Sequence, residues 1–495
     1  MMYGEEKSDS LIVAANLTNN PQGAESVERR SGAKGNAEQP HMRRTQSRES
    51  MSQRLSRVRE AAKQRKKERF TALFHLLTAE ALENAFLSLS RKAAAGVDGV
   101  RWKDYAENLK VNIADLHRRL HQGSYRAQPG RRHYIPKADG KQRPLGIASL
   151  EDKIVQYALV KILNAVYEND FMGFSYGFRP GRSQHNALDA LATGLVRTNV
   201  NWVLDADISQ FFDKVSHEWL IRFIEHRIGD QRVIRLIRKW LTAGTSEEGE
   251  WRASEEGTPQ GAVISPLLAN IYLHYVFDLW AHQWRRRHAT GNVVMVRYAD
   301  DIVIGFDKRI DAQCFRIAMQ RRLKEFGLTV HPKKTRLMEF GRFAAENRAS
   351  RGKGKPETFN FLGFTHISGK DRSGRFMLIR KTRRDRMTAT LKAIKDGLRK
   401  RWHYSIPEQG KWLRRVVQGY LNYHSVPGNY PMMRKFRIYV TDLWRRALRR
   451  RSQQDDTTWT KANRLAAVWL PKVRVLHPWP VERFTARHPR QEPGA

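Results

Sequence analysis

Cysteine is nearly absent from this sequence of 495 residues, which contains one cysteine, Cys314. One thiol cannot form an internal disulfide, and no zinc site that uses several cysteines can be built around it. The sequence also begins without the charged and then apolar pattern of a secretory signal peptide. These absences exclude a disulfide-stapled secreted domain and predict a reducing, cytoplasmic location.

Long hydrophobic runs are also lacking. Residues 261–281 form the one stretch that invites a membrane reading, but it contains Pro266, Asn270, His274 and Asp278. The last three recur every four residues and would share one face of a helix. The stretch therefore predicts a core helix with a polar stripe, and no membrane partner.

Acidic residues are too few to balance the basic ones. Lys and Arg total 90 against 50 Asp and Glu, a formal net charge of +40. Such an excess repels itself unless an anionic partner neutralises it. Thirteen Trp, many Tyr and many Phe are present as well, and aromatic rings can stack on bases. The composition indicates a nucleic-acid partner held largely through phosphate contacts.

The composition changes twice along the chain. Residues 1–66 are polar and become basic toward their end, which predicts a disordered leader followed by a basic helix at residues 54–70. Residues 67–365 mix helical and β patterns and predict an α+β domain. Residues 366–480 are basic and predict a helical module, with strong helices at 411–423 and 434–451.

Paired acids follow or interrupt two β-type segments. Asp300 and Asp301 lie between two apolar runs within residues 293–306, which predicts a hairpin with the acids near its tip. Asp205 and Asp207 end the run at residues 202–208, and alternation puts both on one face of a strand. Carboxylates from separate strands suit a two-metal phosphoryl-transfer site, whereas the acidic pair alone could be an ordinary turn.

These boxes, in this order, resemble those of reverse transcriptases. Tyr298-Ala299-Asp300-Asp301 resembles the metal-binding box, and Asp207 falls at the metal-ligand position of the first catalytic box. Phe212 falls at the aromatic gate against a ribose 2′-hydroxyl, and Gln260 near the nascent base pair. Other matching positions are Lys137, Lys141, Arg143 and Lys334 for the nucleotide, and Phe361, Leu362, Gly363 and Phe364 for the primer-grip turn.

Further segments resemble the reverse transcriptase–maturases encoded in bacterial group II introns. They include the motifs AGVDGV at 95–100, YGFRPGRS at 176–183, PQGAVISPLLAN at 259–270 and GYLNYH at 419–424, and they span roughly residues 70–485. The resemblance implies a right-hand polymerase, with fingers and palm at 67–365 followed by an α-helical thumb/maturase module. Residues 481–495 are then a short tail, and we expect no HNH endonuclease.

The resemblance also implies a function. We expect an RNA-directed DNA polymerase that uses two Mg²⁺ ions held by Asp207, Asp300 and Asp301, and that binds group II intron RNA to assist splicing and intron mobility. Its other partners would be dNTPs, a primer–template and a DNA target, with a homodimer left open. Two alternatives remain: a splicing-only RNA-binding maturase, and a domesticated reverse transcriptase in phage defence or spacer acquisition.

Overall fold

A computed structural model describes residues 50–136, 142–247, 249–451 and 457–487. Within these ranges, no helix combines the length and the apolar character that crossing a membrane would require.

Helices make up most of the regular structure. In chain order they are α1 (Met51–Gln64), α2 (Ala79–Ser88), α3 (Trp102–Glu107), α4 (Leu109–His121), α5 (Leu150–Tyr167), α6 (Gln184–Arg197), α7 (His217–Glu225), α8 (Gln231–Thr242), α9 (Ser265–Leu273), α10 (Leu279–Arg287), α11 (Arg309–Glu325), α12 (Ala344–Ala349), α13 (Arg384–Arg399), α14 (Ile406–His424), α15 (Tyr430–Arg449), α16 (Trp459–Trp469) and α17 (Pro480–Arg487). Short 3₁₀ turns occur at Phe74–Leu76 and Phe211–Asp213, and a π-helical turn at His274–Asp278 joins α9 to α10.

The strands form three separate sheets. In chain order they are β1 (Gly130–Pro136), β2 (Gln142–Ile147), β3 (Trp202–Asp207), β4 (Thr245–Glu247), β5 (Glu250–Arg252), β6 (Val293–Tyr298), β7 (Asp301–Phe306), β8 (Arg336–Glu339), β9 (Phe359–Phe361), β10 (Phe364–Lys370) and β11 (Phe376–Thr382). The strand orders are β2-β1-β4-β5, β6-β7-β3-β8 and β11-β10-β9.

The described residues divide into two compact units, and the first holds residues 50–136, 142–181, 208–247, 249–287 and 317–331. Its central helix α5 starts at a Ser149 cap and is buried along most of its length. Arg227 is 1% exposed and fastens the end of α1 to this unit. Its guanidinium donates to the carbonyls of Arg65 and Glu68 at 2.9 and 2.6 Å, and to Asp170 at 2.8 Å. A buried guanidinium requires such acceptors because it cannot donate to water.

The second unit holds the described residues 182–207, 288–316, 332–451 and 457–487. Helix α6 packs against β6 of its four-stranded sheet, and Gly194 makes room for Val294, since a Cβ there would lie 2.4 Å from a valine methyl. Helices α13 to α16 enclose a separate apolar core around Trp444, whose indole donates to Gln409 at 2.9 Å. A buried indole N–H usually needs such an acceptor.

The predicted mixture of helices and sheets is confirmed, and most predicted elements lie within two to five residues of the observed ones. The expected hairpin at 293–306 is present as β6 and β7. The core helix expected at 261–281 starts only at Ser265 and contains the π-helical turn, with Asn270, His274 and Asp278 all buried. The domain limit drawn between 365 and 366 falls inside β10, and the right-hand arrangement stays a prediction.

Candidate active site

The acidic pair lies at a tight hairpin, as its sequence predicts. Tyr298 pairs with Asp301, so Ala299 and Asp300 alone form the turn. Ala299 has φ 57°, a left-handed conformation that costs a residue with a Cβ roughly 1–2 kcal/mol. The turn is held by the fully buried Arg297, whose Nη1 donates to the Ala299 carbonyl at 3.0 Å. Backbone strain that the surroundings maintain is common where a side chain must be aimed at a reaction.

Asp207 and Asp301 are direct partners on neighbouring strands. The β3–β7 register places Asp207 opposite Asp301 and Asp205 opposite Val303. Directly opposed residues have Cβ atoms roughly 4.5–5.5 Å apart on the same face. Asp205 shares that face with Asp207 because alternate residues of a strand point the same way. The second unit thus gathers four carboxylates, from the end of β3, the start of β7 and the turn between β6 and β7.

This concentration of negative charge disturbs the carboxyl groups. Although Asp301 as a residue is exposed, protein atoms surround its carboxyl. That desolvation, together with the charges of Asp300, Asp207 and Asp205, raises the pKa of Asp301 to about 7. Burial also raises the pKa of Asp205 to about 6, against the opposing effect of Arg336 at 3.9 Å. A bound cation would therefore stabilise the ionised form of these carboxyl groups.

Lys334 supplies one positive charge to this cluster. Its Nζ lies 2.8 Å from Asp207 Oδ2, and this bond raises the pKa of the lysine. The lysine side chain is 62% exposed, so its ammonium can move to a ligand without a large burial cost. The predicted nucleotide-binding lysine and the predicted metal ligand thus lie together.

The carboxylates suit a divalent cation by donor chemistry and charge. Within the described ranges, however, no group of three or more His, Cys, Asp or Glu side chains is arranged to hold one metal ion. Mg²⁺ differs from zinc here, because it is usually bound by one or two carboxylates and completes its shell with water and substrate phosphates. The facing pair Asp207 and Asp301 fits that pattern.

The first unit brings Phe212 and Gln260 together. The backbone N–H of Thr258 donates to the Phe212 carbonyl at 2.7 Å, and Gln260 Nε2 donates to Asp213 Oδ1 at 2.7 Å. Gly257, at φ +86°, allows this approach, since a Cβ there would lie 2.9 Å from the Phe212 carbonyl oxygen. The aromatic position and the glutamine box are therefore one hydrogen-bonded assembly.

The same assembly reaches the strand that carries Arg143. The N–H of Gly146 in β2 donates to the Gln260 carbonyl at 2.7 Å, and Arg143 is exposed three residues earlier in that strand. The other two predicted nucleotide contacts, Lys137 and Lys141, lie outside the described residues.

The predicted primer-grip turn is a tight connection between β9 and β10. Phe361 and Phe364 are buried, while Leu362 and Gly363 take left-handed φ angles of 45° and 79°. The hydroxyl of Tyr423, in α14, donates to the Leu362 carbonyl at 2.8 Å. Sequence reasoning missed Tyr423 as a support of this turn, although it had singled out its motif, GYLNYH.

Two further participants were missed or undervalued. The family resemblance assigned no role to Asp205, yet its charge contributes to the raised pKa of Asp301. Asp213 accepts a hydrogen bond from the Gln260 amide, and its place as the last residue of the first catalytic box, which begins at Asp207, was the available clue.

Comparison with known proteins agrees with the predicted resemblance. Residues 135–366 match the family model described as reverse transcriptase (RNA-dependent DNA polymerase). Protein YkfC of Escherichia coli is 43% identical over 206 residues, which are 41% of this chain and 54% of that protein. Group II intron-encoded protein LtrA of Lactococcus lactis is 37% identical over 223 residues, 44% of this chain and 37% of LtrA. Nuclear intron maturase 2 of Arabidopsis thaliana is 29% identical over 110 residues, 21% and 15% of the two chains. The chain spans about half or less of the length of these relatives.

Proposed function

Because this chain carries a reverse transcriptase domain at residues 135–366 and resembles group II intron-encoded proteins, we propose that it is an RNA-directed DNA polymerase. The observation that supports this most directly is the convergence of Asp207, Asp300 and Asp301, with Asp207 and Asp301 as register partners on adjacent strands. A structural role would not require four carboxylates to share one small surface against their mutual repulsion.

In the proposed reaction the 3′-oxygen of a primer forms a bond to the α-phosphorus of a dNTP. The α–β phosphoanhydride bond breaks, pyrophosphate leaves, and the hydroxyl proton passes to solvent. Asp207 and Asp300 would hold two Mg²⁺ ions, with Asp301 beside them in a supporting role. Bound there, these ions would stabilise the attacking and the leaving oxygen.

The chain's own residues would position the substrates. Lys334 and Arg143 carry fixed positive charge suited to the triphosphate, and Lys137 and Lys141 would add to it. Phe212 would stand against a ribose 2′-hydroxyl, held by its backbone bond from Thr258. Gln260, held by Asp213, would lie at the nascent base pair. The turn Phe361–Phe364 would hold the primer, supported by Tyr423.

We propose in addition that the protein binds group II intron RNA, assists splicing and supports intron mobility by target-primed reverse transcription. Support comes from the relatives' names and from the net charge of +40, which favours an RNA partner. A bacterial cytoplasm would supply the intron RNA, the DNA target and the dNTPs. The carboxylate cluster weighs against the splicing-only alternative, which would not need it.

Replacement of Asp300 by Ala tests the proposal. This variant removes a carboxylate but no cation that faces RNA, so we expect primer extension to collapse while intron-RNA affinity and splicing stimulation stay near wild type. Asp396→Ala, which removes an exposed acid from α13, is the matched control and should extend primers normally. Wild-type extension should also be abolished by a chelator and restored by Mg²⁺. Extension by Asp300→Ala at the control rate would refute the assignment.

A further inference from the structure

The sheet of the first unit has two chemically different faces. Residues that pair across neighbouring strands share a face of the sheet. Ile147 pairs with Arg131, Arg131 with Ser246, and Ser246 with Trp251, so one residue of each strand lies in this row on one side. Alternation adds His133 and Leu145, and then Ile135 and Arg143, to the same side. We name this side the Trp251 face and define it by Arg131, His133, Ile135, Arg143, Ile147 and Trp251.

The charges are divided between the faces. The acids of the four strands, Glu247 and Glu250, oppose each other on the other face. There Glu247 accepts from Tyr134 at 2.7 Å and lies 3.5 Å from Arg252. Among the described strand residues, the Trp251 face has two arginines and a histidine but no acid. One side is thus internally neutralised, and the other is basic and exposed.

Trp251 is fixed in place although it is exposed. The residue is 60% accessible, and its Nε1 donates to the Ala243 carbonyl at 2.9 Å. The indole lies against the backbone of Gly244, where a Cβ would come within 2.7 Å of Nε1. Gly244 has φ +73°, so both its conformation and its missing side chain permit this contact. A held, exposed indole is a ready stacking platform because little rotamer freedom is left to lose on binding.

We propose that the Trp251 face binds the unpaired template strand, with one base stacked on Trp251 and the template phosphates near Arg131. Charge complementarity selects nucleic acid, and stacking on an open ring requires a base that is not already paired. The face spans three strand spacings, about 14 Å, enough for two or three nucleotides. This inference rests on the proposed polymerase function and assigns Trp251 as a template-docking residue.

A base-deletion scan tests this stacking. Primer–templates with one abasic site, moved through the first six template positions ahead of the primer end, would be extended by wild type and Trp251→Ala. A lost stack should cost Trp251→Ala about tenfold in kcat/KM on the intact template. At the one or two template positions whose base stacks on Trp251, an abasic site should lower the kcat/KM of wild type by this same factor. It should cause no further loss in the kcat/KM of Trp251→Ala. Trp251→Phe should restore most of the efficiency, because a benzene ring still stacks.

The control is Tyr134→Ala, which removes a similarly exposed ring from the opposite face of the same sheet and should show no position-dependent coupling. Additive losses at every position, or a Trp251→Phe variant as impaired as Trp251→Ala, would overturn the proposal. So would a Trp251→Ala defect confined to intron-RNA affinity. Affinities of the same primer–templates are measured in parallel. If wild type extends no template, the polymerase assignment fails, while coupling in affinity still supports the docking site.

Discussion

His366 should make the β9–β11 sheet sensitive to acid. It is fully buried in β10 and stacks on Phe359 with ring centroids 4.8 Å apart and planes 6° apart. Desolvation, helped by the charge of Arg380, lowers its pKa from the ordinary 6.5 to about 3. The native sheet therefore holds this ring neutral at every moderately acidic pH.

The sign of the effect follows from proton binding. Well above pH 6.5 neither the folded nor the unfolded chain protonates this ring, and its contribution is constant. As the pH falls through 6.5 the unfolded chain gains a proton that the folded chain does not, so stability falls, with a slope that approaches about 1.4 kcal/mol per pH unit until the pH nears 3. Between pH 6.5 and 4.5 the loss is about 2 kcal/mol.

Replacement by Phe removes this titration and keeps a ring against Phe359. Hydrogen exchange of peptides covering residues 359–382 reports the opening free energy of this sheet directly. We expect the wild-type opening free energy to fall between pH 6.5 and 4.5 by about 2 kcal/mol more than that of His366→Phe. His403→Phe, at an exposed position, is the control and should follow wild type. Parallel pH curves for wild type and His366→Phe would refute the reasoning.

Two further predictions concern sugar choice and stability. Phe212→Val should admit ribonucleotides, because the smaller side chain no longer clashes with the 2′-hydroxyl. Relief of a clash of about 1.4 kcal/mol should raise the ratio of ribonucleotide to deoxyribonucleotide incorporation at least tenfold over wild type. An unchanged ratio in an active variant would move the gate to Phe211. Asp189→Asn should lower stability by about 3–5 kcal/mol, because Arg380 and Arg483, which both pair with this buried carboxylate, would lose their anion. Urea unfolding would measure the second effect, and a loss below 1 kcal/mol, roughly that of an exposed pair, would contradict it.

Local sequence patterns predicted much of the fold and part of the candidate site. The alternation at 293–306 and the short polar interruption predicted the hairpin, because both its strands and its turn lie within a few residues of one another. Likewise the spacing of Asp205 and Asp207 settled which face they share. The order of the motifs predicted the remaining site positions, since each motif is contiguous in the chain.

Contacts between distant segments could not be read in this way. Lys334 lies 127 residues from the carboxylate it pairs with, and Asp213 lies 47 residues from the Gln260 amide. The raised pKa of Asp301 depends on burial and on charges from another strand, neither of which a local pattern contains. Trp251 had no sequence motif at all. Its place on the same sheet face as Arg131 comes from a strand register set by tertiary pairing, and a shift of one residue would have turned it to the opposite face.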